Sequence, residues 1–474
     1  MDSQTLETFL DKIFALQKRK SNELRIEPIH NRKLRIHKLR EWIHVNRTAI
    51  QEAMYVDFKK HPLETDGIEL LNVLAEIKNT LSHLDDWAAP KKVDAPLTML
   101  GTRSFIQYEP RGVCLVLAPW NYPFLLCVGP MVSALAAGNT VILKPSELTP
   151  HVSAVIKRMS DEIFDPAVVS TFEGGVEVSQ HLLRLPFDHI FFTGSPTVGK
   201  IVMKAAADNL ASVTLELGGK SPSIITRTAN LADAAERTAA AKFVNNGQTC
   251  VAPDYILIDQ GIAETFIPLL IGQIEKLFTE NDQAFEVSEH YCRIINDKNF
   301  LRVQGLLDEA IAQGAQVRYG GSSDRPSRFF HPTILSNLSL TSRIMKEEIF
   351  GPILPIVTYD NLGRAIAFVN DMPKPLALYI FSTSKKEQSN ILQETSSGGV
   401  CINDSAIHFL HHNLPFGGVN NSGIGKSHGY YGFLAFSNEK PVLRQRKGLT
   451  TIKTFYPPYT KRSQKLMEWF LKLF

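Results

Sequence analysis

Three observations predict an α/β protein made of two doubly wound α/β domains and a small additional β element. Between residues 113 and 217, five short apolar runs alternate with helical patterns. A second strand–helix alternation begins near Leu217 and continues to about residue 436. Two segments of more exposed, alternating character, 102–109 and 442–455, bracket the main body. A chain of 474 residues also exceeds what one hydrophobic core normally organises, so two or three domains are expected.

In chain order, residues 29–60 read as one or two helices rich in Arg and Lys. Leu39, Trp42, Ile43 and Ile50 form their apolar stripe, and the basic residues form a solvated face. Residues 113–117 are continuously apolar, the pattern of a strand covered on both faces. A helical stretch, 124–137, leads to a second such strand at 140–144, and further runs follow at 168–172, 189–193 and 213–217. Buried strands spaced by helices imply a parallel, doubly wound sheet. Segments 102–109 and 442–455 alternate like hairpin or edge strands, which suggests an element that pairs between subunits.

Bulk properties narrow the function classes. Hydrophobic residues make up 44% and charged residues 21%, and the net charge is +3, so no nucleic-acid-binding surface is indicated. Residues 1–10 lack a basic-then-apolar signal pattern, and no apolar run is long enough to span a bilayer. The five cysteines, at 114, 127, 250, 292 and 401, have neither metal nor disulfide spacing. Reduced thiols and a cytoplasmic location are the expectation.

The chemistry centres on Cys250, in Asn-Asn-Gly-Gln-Thr-Cys-Val-Ala-Pro-Asp-Tyr (245–255). A thiol with a pKa near 8.5 is only about 3% thiolate at pH 7, so a nucleophilic cysteine needs a local field. Gly247, Gln248 and Thr249 are expected to form a turn feeding a helix whose first amides would supply that field. On composition alone a buried, inert thiol is the competing reading. Glu216 stands in Leu-Glu-Leu-Gly-Gly-Lys-Ser-Pro (215–222), a carboxylate inside an otherwise apolar run. A thiol and a carboxylate in one domain suit covalent chemistry on a carbonyl: one forms the bond, and the other activates water to break it.

The usual Gly-x-Gly-x-x-Gly dinucleotide fingerprint is missing after the first strand. Phe-Thr-Gly-Ser-Pro-Thr-Val-Gly (192–199) instead follows a strand and enters a helix. Gly194 and Gly199 permit close approach there, and Ser195 with the free amides of the helix start can hold a pyrophosphate. By itself such a turn starts many helices. Lys144-Pro-Ser-Glu147 lies at the carboxyl end of the second strand, where open α/β sheets bind ligands.

Asn-x-Gly-Gln-Thr-Cys together with Leu-Glu-Leu-Gly-Gly-Lys-Ser-Pro, with Glu216 and Cys250 34 residues apart, resembles the two signatures of the aldehyde dehydrogenase superfamily. The run Cys-Val-Ala-Pro-Asp-Tyr is similar to the class 3 branch, which includes fatty aldehyde dehydrogenase. The likeness extends over about residues 25–474. It implies the aldehyde dehydrogenase-like fold, a homodimer, and NAD(P)-dependent oxidation of an aldehyde to the acid. The implied domains are a cofactor-binding domain (1–85 and 108–214), a catalytic domain (215–436), an oligomerisation β element (86–107 and 437–455) and an amphipathic tail (456–474). Cys250 would attack the aldehyde, and Asn121, in Ala-Pro-Trp-Asn-Tyr-Pro (118–123), would steady the resulting oxyanion with the Cys250 backbone N–H. Glu216 would be the hydrolytic base.

The same resemblance assigns Trp120, Lys144, Ser146, Glu147, Thr193, Gly194, Ser195, Gly199, Leu217, Glu348 and Phe350 to the cofactor. Lys144 and Glu147 would meet the adenosine ribose. Glu147 favours NAD over NADP by repelling a 2′-phosphate, an effect Lys144 can offset. Glu348 would hold the nicotinamide ribose, with Phe350 near the ring. Tyr122, His408 and His412 would line the substrate entrance. His408, His411 and His412 lack partners at metal-ligand spacing, so no metal is expected. Asn420 replaces a glycine common in relatives, and Asn tolerates left-handed backbone best among other residues.

Residues 461–474 place Leu466, Trp469, Phe470, Leu473 and Phe474 on one helical face and Lys465, Glu468 and Lys472 on the other. Three roles stay open for this tail. It docks on the protein's own core or dimer partner, it covers the substrate tunnel as in fatty aldehyde dehydrogenase, or it makes peripheral contact with a membrane. Two rival activities are an acylating enzyme that passes the thioester to coenzyme A and a non-catalytic protein of the same fold.

Overall fold

The computed structural model describes residues 3–280, 283–448 and 450–472. Three helices open the chain: Ser3–Leu24, Ile29–Val45 and Arg47–Phe58. The first was not anticipated from the sequence. The other two divide residues 29–60 at Asn46, and Leu39, Trp42, Ile43 and Ile50 are buried as the pattern predicts. A short turn, Pro62–Glu64, runs into a π-helical turn, Thr65–Leu70, and then helix Leu71–Ala88.

The strands follow as β1 (Lys91–Val93), β2 (Arg103–Pro110), β3 (Val113–Leu117), β4 (Thr140–Lys144), β5 (Val169–Thr171), β6 (His189–Gly194) and β7 (Ser212–Leu217). Next come β8 (Pro222–Ile225), β9 (Tyr255–Asp259), β10 (Gln316–Tyr319), the small hairpin β11 (Ser323–Asp324) and β12 (Phe329–Phe330), and β13 (Thr333–Ser336). The last are β14 (Ile353–Tyr359), β15 (Ala377–Phe381), β16 (Gly399–Ile402), β17 (Gly423–Ile424) and β18 (Ser437–Arg444).

One sheet has the order β17-β7-β6-β3-β4-β5. Its five long strands are parallel, and β17 adds antiparallel to β7. Its two faces are set by the period of two along each strand. Val113, Leu115 and Leu117 pack under helices Ser3–Leu24, Val176–Arg184 and Pro196–Asp208. Cys114 and Val116 face helices Ile29–Val45, Leu125–Ala137 and Pro150–Ile163. The second sheet has the order β10-β13-β14-β9-β8-β15-β16 and is parallel except for β10. It divides the same way, with Ile256 and Ile258 on one face and Tyr255 and Leu257 on the other.

The third sheet, β1-β2-β18, corrects one boundary. The strand expected at 442–455 begins at Ser437 and stops at Arg444, and Thr451–Phe455 is a 3-10 turn. Arg444 pairs with Arg103, the first residue of β2, so no partner backbone remains beyond it. The tail is helical over Lys461–Leu471, capped by Thr460, whose hydroxyl accepts from Ser463 N at 3.2 Å. None of its side chains is buried: Phe470 meets Phe455 at 5.8 Å, while Met467, Trp469 and Leu471 stay exposed. Leu473 and Phe474 lie outside the described residues.

β7 belongs to the first sheet and β8 to the second, and only Gly218–Ser221 joins them. Lys220, within this link, is buried and donates to Asp254, to Ile344 O at 2.7 Å and to Glu347 O at 3.0 Å. Replacing Lys220 by Met would leave Asp254 buried without a cation, a loss of about 3–5 kcal/mol. Lys220→Met is therefore expected to lower the midpoint of thermal and urea unfolding, and an unchanged midpoint would contradict this account of the crossing.

Candidate active site

The nucleophile turn starts where helix Leu231–Phe243 ends. Asn245, Asn246 and Gly247 then take successive left-handed conformations, with φ of 52°, 56° and 71°. Asn tolerates this backbone and Gly adopts it freely. Glycine is required at 247 for a second reason: a Cβ there would lie 2.4 Å from the Gly351 carbonyl oxygen. The turn is tied from within by buried amides. Gln248 donates to Asn245 O at 3.0 Å and to Arg293 O at 3.1 Å, and its Oε1 accepts from Ile295 N at 3.0 Å.

No helix follows Cys250, contrary to expectation. Residues 249–252 form a turn, closed by Ala252 N donating to Thr249 O, and the chain passes directly to β9. The thiol therefore lacks the field of a helix start. Burial, with the carboxylates of Glu348 and Glu216 nearby, pushes it up to about 12. Its remaining exposure opens onto the cavities described below.

Asn121 is buried, and its Nδ2 donates to Gln248 O at 3.1 Å. A primary amide carries two N–H groups, so this bond fixes the amide plane and leaves one donor. Tyr122 pairs its hydroxyl with Thr249 Oγ1 at 2.7 Å. Glu216 lies near the end of β7, in register with Thr193 of β6 and Gly423 of β17. Burial raises its carboxyl to about 7, although the Ser427 hydroxyl donates to it and Lys426 is nearby.

Cys250 and Glu216 stand where two cavities meet, since both line each of them. One is apolar and holds about 840 Å³ of empty space, counting its mouth. Leu125, Leu126, Pro130, Phe409 and Phe416 form much of its wall, with Tyr122 and His412. His408 is not among the facing residues. It packs near Tyr379 and Phe416, and burial lowers its ring to about 4, which keeps it neutral. Glu76 also lines this cavity, with Oε1 accepting from Gly429 N at 2.8 Å and Oε2 3.5 Å from His412 Nδ1.

The other cavity is a polar cleft of about 1740 Å³. Thr193, Gly194 and Ser195 line it at the carboxyl end of β6. Ser195 caps helix Pro196–Asp208 by accepting from Val198 N, and this helix start, Ser195 to Thr197, lines the cleft, where a helix N-terminus favours an anion. Gly199 serves packing, since a Cβ there would come within 2.7 Å of Leu217 on β7. Trp120 and Phe350 meet edge-to-face at 5.3 Å on the opposite wall.

Two buried oxygens in this cleft, Glu348 Oε1 and Thr193 Oγ1, have no hydrogen-bond partner. Burial, with Asp254 nearby, pushes Glu348 up to about 8. Unpaired polar atoms and a helix start together fit a ligand carrying hydroxyls and phosphates, as a nicotinamide dinucleotide does. Lys144, Ser146 and Glu147 lie outside this lining, at the carboxyl end of β4, where Lys144 Nζ holds Glu147 at 2.7 Å. Asn420 takes φ of 55°, the left-handed conformation expected of it. Among the described residues no group of three or more His, Cys, Asp or Glu could hold a metal.

Several residues that shape the site carried no signal strong enough to single them out. Lys220 and Asp254 sit inside the two quoted motifs yet reveal their pairing only in three dimensions. Ser427 and His428 follow the Phe-Gly-Gly loop, and His428 stacks on Phe416 at 4.9 Å. Glu64, Lys60 and Glu69 come from a polar stretch that reads as ordinary surface.

A doubly wound α/β cleft that fits a dinucleotide and meets a half-buried thiol and a buried carboxyl is the arrangement of a nicotinamide-dependent oxidoreductase. Residues 6–442 match the model of the aldehyde dehydrogenase family, and the chain belongs to that family. It is 43% identical over 449 residues to the 4,4'-diaponeurosporen-aldehyde dehydrogenase of Staphylococcus aureus, covering 95% of this chain and 96% of that protein. It is 40% identical over 448 residues to aldehyde dehydrogenase family 3 member A2 of Rattus norvegicus, covering 94% and 91%. This agrees with the class 3 resemblance.

A solved structure described as the substrate-bound state of Staphylococcus aureus AldH superposes with a TM-score of 0.93 at 42% identity, covering 97% of this chain and 99% of that one. More distant structures, each 26% identical, are a betaine aldehyde dehydrogenase of Staphylococcus aureus in complex with NAD+ and an NADP-dependent enzyme of E. coli. They superpose at 0.83 and 0.84, each covering at least 92% of this chain and 88% of the other. The protein is thus an aldehyde-oxidising oxidoreductase that uses a nicotinamide cofactor.

A base with a pKa near 7 acts only when deprotonated, so turnover limited by hydrolysis should rise as pH passes upward through about 7. Cofactor-free enzyme should be alkylated slowly by iodoacetamide at pH 7, with a rate still climbing beyond pH 9. A plateau near pH 7 would show that the resting thiol is already ionised.

Proposed function

We propose that this enzyme oxidises apolar aldehydes, medium- to long-chain or aromatic, to carboxylic acids, with NAD as the preferred acceptor. The supporting observation is that Cys250 and Glu216 line both the apolar cavity and the polar cleft. An aldehyde whose chain fills the apolar cavity brings its carbonyl to the thiol at the edge of the cofactor cleft. The name of the Staphylococcus aureus relative, a 4,4'-diaponeurosporen-aldehyde dehydrogenase, supports an aldehyde as substrate.

Cys250 Sγ bonds to the aldehyde carbon, the C=O π bond opens to an oxyanion, and the thiol proton passes to solvent. The free N–H of Asn121 Nδ2 and the Cys250 backbone N–H donate to that oxygen. One such donor is worth about 3 kcal/mol in the transition state. The bound cofactor supplies the hydride acceptor; Thr193, Ser195 and the helix start after it hold its phosphates, Glu348 its nicotinamide ribose, and Trp120 and Phe350 its ring. Lys144 and Glu147, paired at 2.7 Å, would meet the adenosine ribose, with Ser146 beside them, and the Glu147 carboxylate would disfavour a 2′-phosphate. Glu216 then takes a proton from water as its oxygen attacks the thioester carbon, and Cys250 leaves with the acid released.

The domain boundaries given above, a homodimer paired through the β2–β18 element and a cytoplasmic enzyme complete the proposal. No helix among the described residues is long and apolar enough to cross a membrane. The exposed Met467, Trp469 and Leu471 suit contact with a membrane, with a partner subunit or with the cavity mouth. An acylating enzyme is the second reading, and the presence of Glu216 disfavours it.

NADH formation with a panel of aldehydes, with and without coenzyme A, decides between the two. Turnover without coenzyme A and its loss in Cys250→Ser are expected, and full turnover by Cys250→Ser would refute the mechanism. Deleting residues 461–474 should shift the chain-length profile of kcat/KM. An unchanged profile in a folded variant would remove the tail from substrate selection.

A further inference from the structure

Residues 58–70 reach behind both catalytic loops, and one buried ion pair there has no part in the mechanism above. Lys60 and Glu69 are both fully buried, with Nζ and Oε1 3.0 Å apart. Lys60 also donates to the Asn121 carbonyl at 3.4 Å and lies over the rings of Phe58 and Tyr122 at 4.8 and 4.6 Å. The other oxygen of Glu69 accepts from Phe124 N and Leu125 N, both at 3.0 Å. Those amides open helix Leu125–Ala137, whose own N-cap residue supplies no side-chain bond. The pair therefore grips the chain at residue 121 and again at 124 and 125.

The same segment holds the nucleophile turn. Glu64 Oε1 accepts from Asn245 N at 3.1 Å, and Asn245 Nδ2 donates to Asn121 O at 3.0 Å. Glu69 reaches its position because Thr65–Leu70 winds as a π-helical turn, a local widening that recurs at functional sites. Stability alone does not account for this arrangement, since an apolar pair of similar volume is often as stable as a buried ion pair. What the two charges supply is orientation, because each is bonded to backbone atoms beside Asn121.

We propose that Lys60 and Glu69 are positioning residues for Asn121: they hold the 121–125 backbone so that its side-chain amide meets the oxyanion formed at Cys250. The inference rests on the reading of Asn121 as an oxyanion donor. Neither residue touches the reacting atoms, and their effect passes through Asn121.

A double-mutant cycle on the full-length enzyme tests it, with kcat and the KM for cofactor measured for Lys60→Met, Asn121→Ala and the combination. Asn121→Ala should lower kcat by about 10²–10³-fold. Lys60→Met should lower kcat by up to about 10²-fold through misplacement, with the KM for cofactor unchanged. In the Asn121→Ala background, Lys60→Met should cost almost nothing further, because the group it positions is gone. If Lys60→Met does not fold, Lys60→Met/Glu69→Gln, which removes both charges, takes its place in the cycle. Equal losses in both backgrounds, or wild-type kcat in a folded Lys60 variant, would overturn the inference and leave Asn121's role intact. Wild-type kcat in Asn121→Ala would overturn that role, and the inference with it.

Discussion

The ion pair between Lys220 and Asp254 is the constraint on which the site depends. Lys220 lies on the short link between the two sheets, and Asp254 follows the nucleophile turn by four residues. Lys220 uses its three donors on Asp254, Ile344 O and Glu347 O, while Asp254 Oδ1 accepts from Ile349 N at 2.9 Å. A buried pair is tolerable only when its bonding capacity is met in this way. Three separate stretches thereby become one body: the end of β7 with Glu216, the turn with Cys250, and the 344–350 loop with Glu348 and Phe350. Gly218 completes the arrangement, because a Cβ there would fall 2.0 Å from Glu348 Oε2.

Charge in this body is arranged to suppress ionisation at rest. Burial raises Cys250, Glu216 and Glu348 together, and each carboxylate opposes a thiolate further. A standing thiolate is therefore scarce near pH 7, and attack on an aldehyde must proceed as the thiol proton departs. The same burial that slows ionisation brings Glu216 to about 7, where a carboxyl is about half deprotonated at neutral pH and basic enough for the water-activating role proposed for it. A thiol held neutral is also less prone to adventitious oxidation.

Much of this was legible in the sequence because it depends on local pattern. The five parallel strands of the first sheet read from continuous apolar runs, and the strand-to-helix turn at Gly194–Ser195 from the strand–Gly-Ser-Pro–helix order. The left-handed Asn420 was legible too, since Asn is the residue that tolerates that backbone. What failed depends on partners distant in sequence. Strand β18 stops at Arg444 only because β2 starts at Arg103, and the helix expected after Cys250 is replaced by a turn because the chain must enter β9 at once. His408 reads as a substrate-entrance residue but packs near Tyr379 and Phe416 and is not among the residues that line the apolar cavity. Lys60 falls in the 29–60 stretch read as a solvated basic face, and nothing local announces that it will pair with Glu69 in the interior.

The architecture separates chemistry from selection. Asn121, Cys250 and Glu348 stand on turns and loops, and Glu216 near the end of β7, with buried bonds tying these stretches together. The apolar cavity is walled instead by side chains from helices Leu71–Ala88 and Leu125–Ala137 and from the 409–416 loop. Tyr122 and Thr249, joined at 2.7 Å, and Ser427, which donates to Glu216 and accepts from Phe416 N through its carbonyl, lie between those walls and Cys250 and Glu216. A substitution at Leu125, Leu126 or Phe409 can reshape the space for an aldehyde chain without moving a donor or a base. A substitution at Lys220 or Asp254 cannot change the substrate without disturbing all the catalytic groups at once.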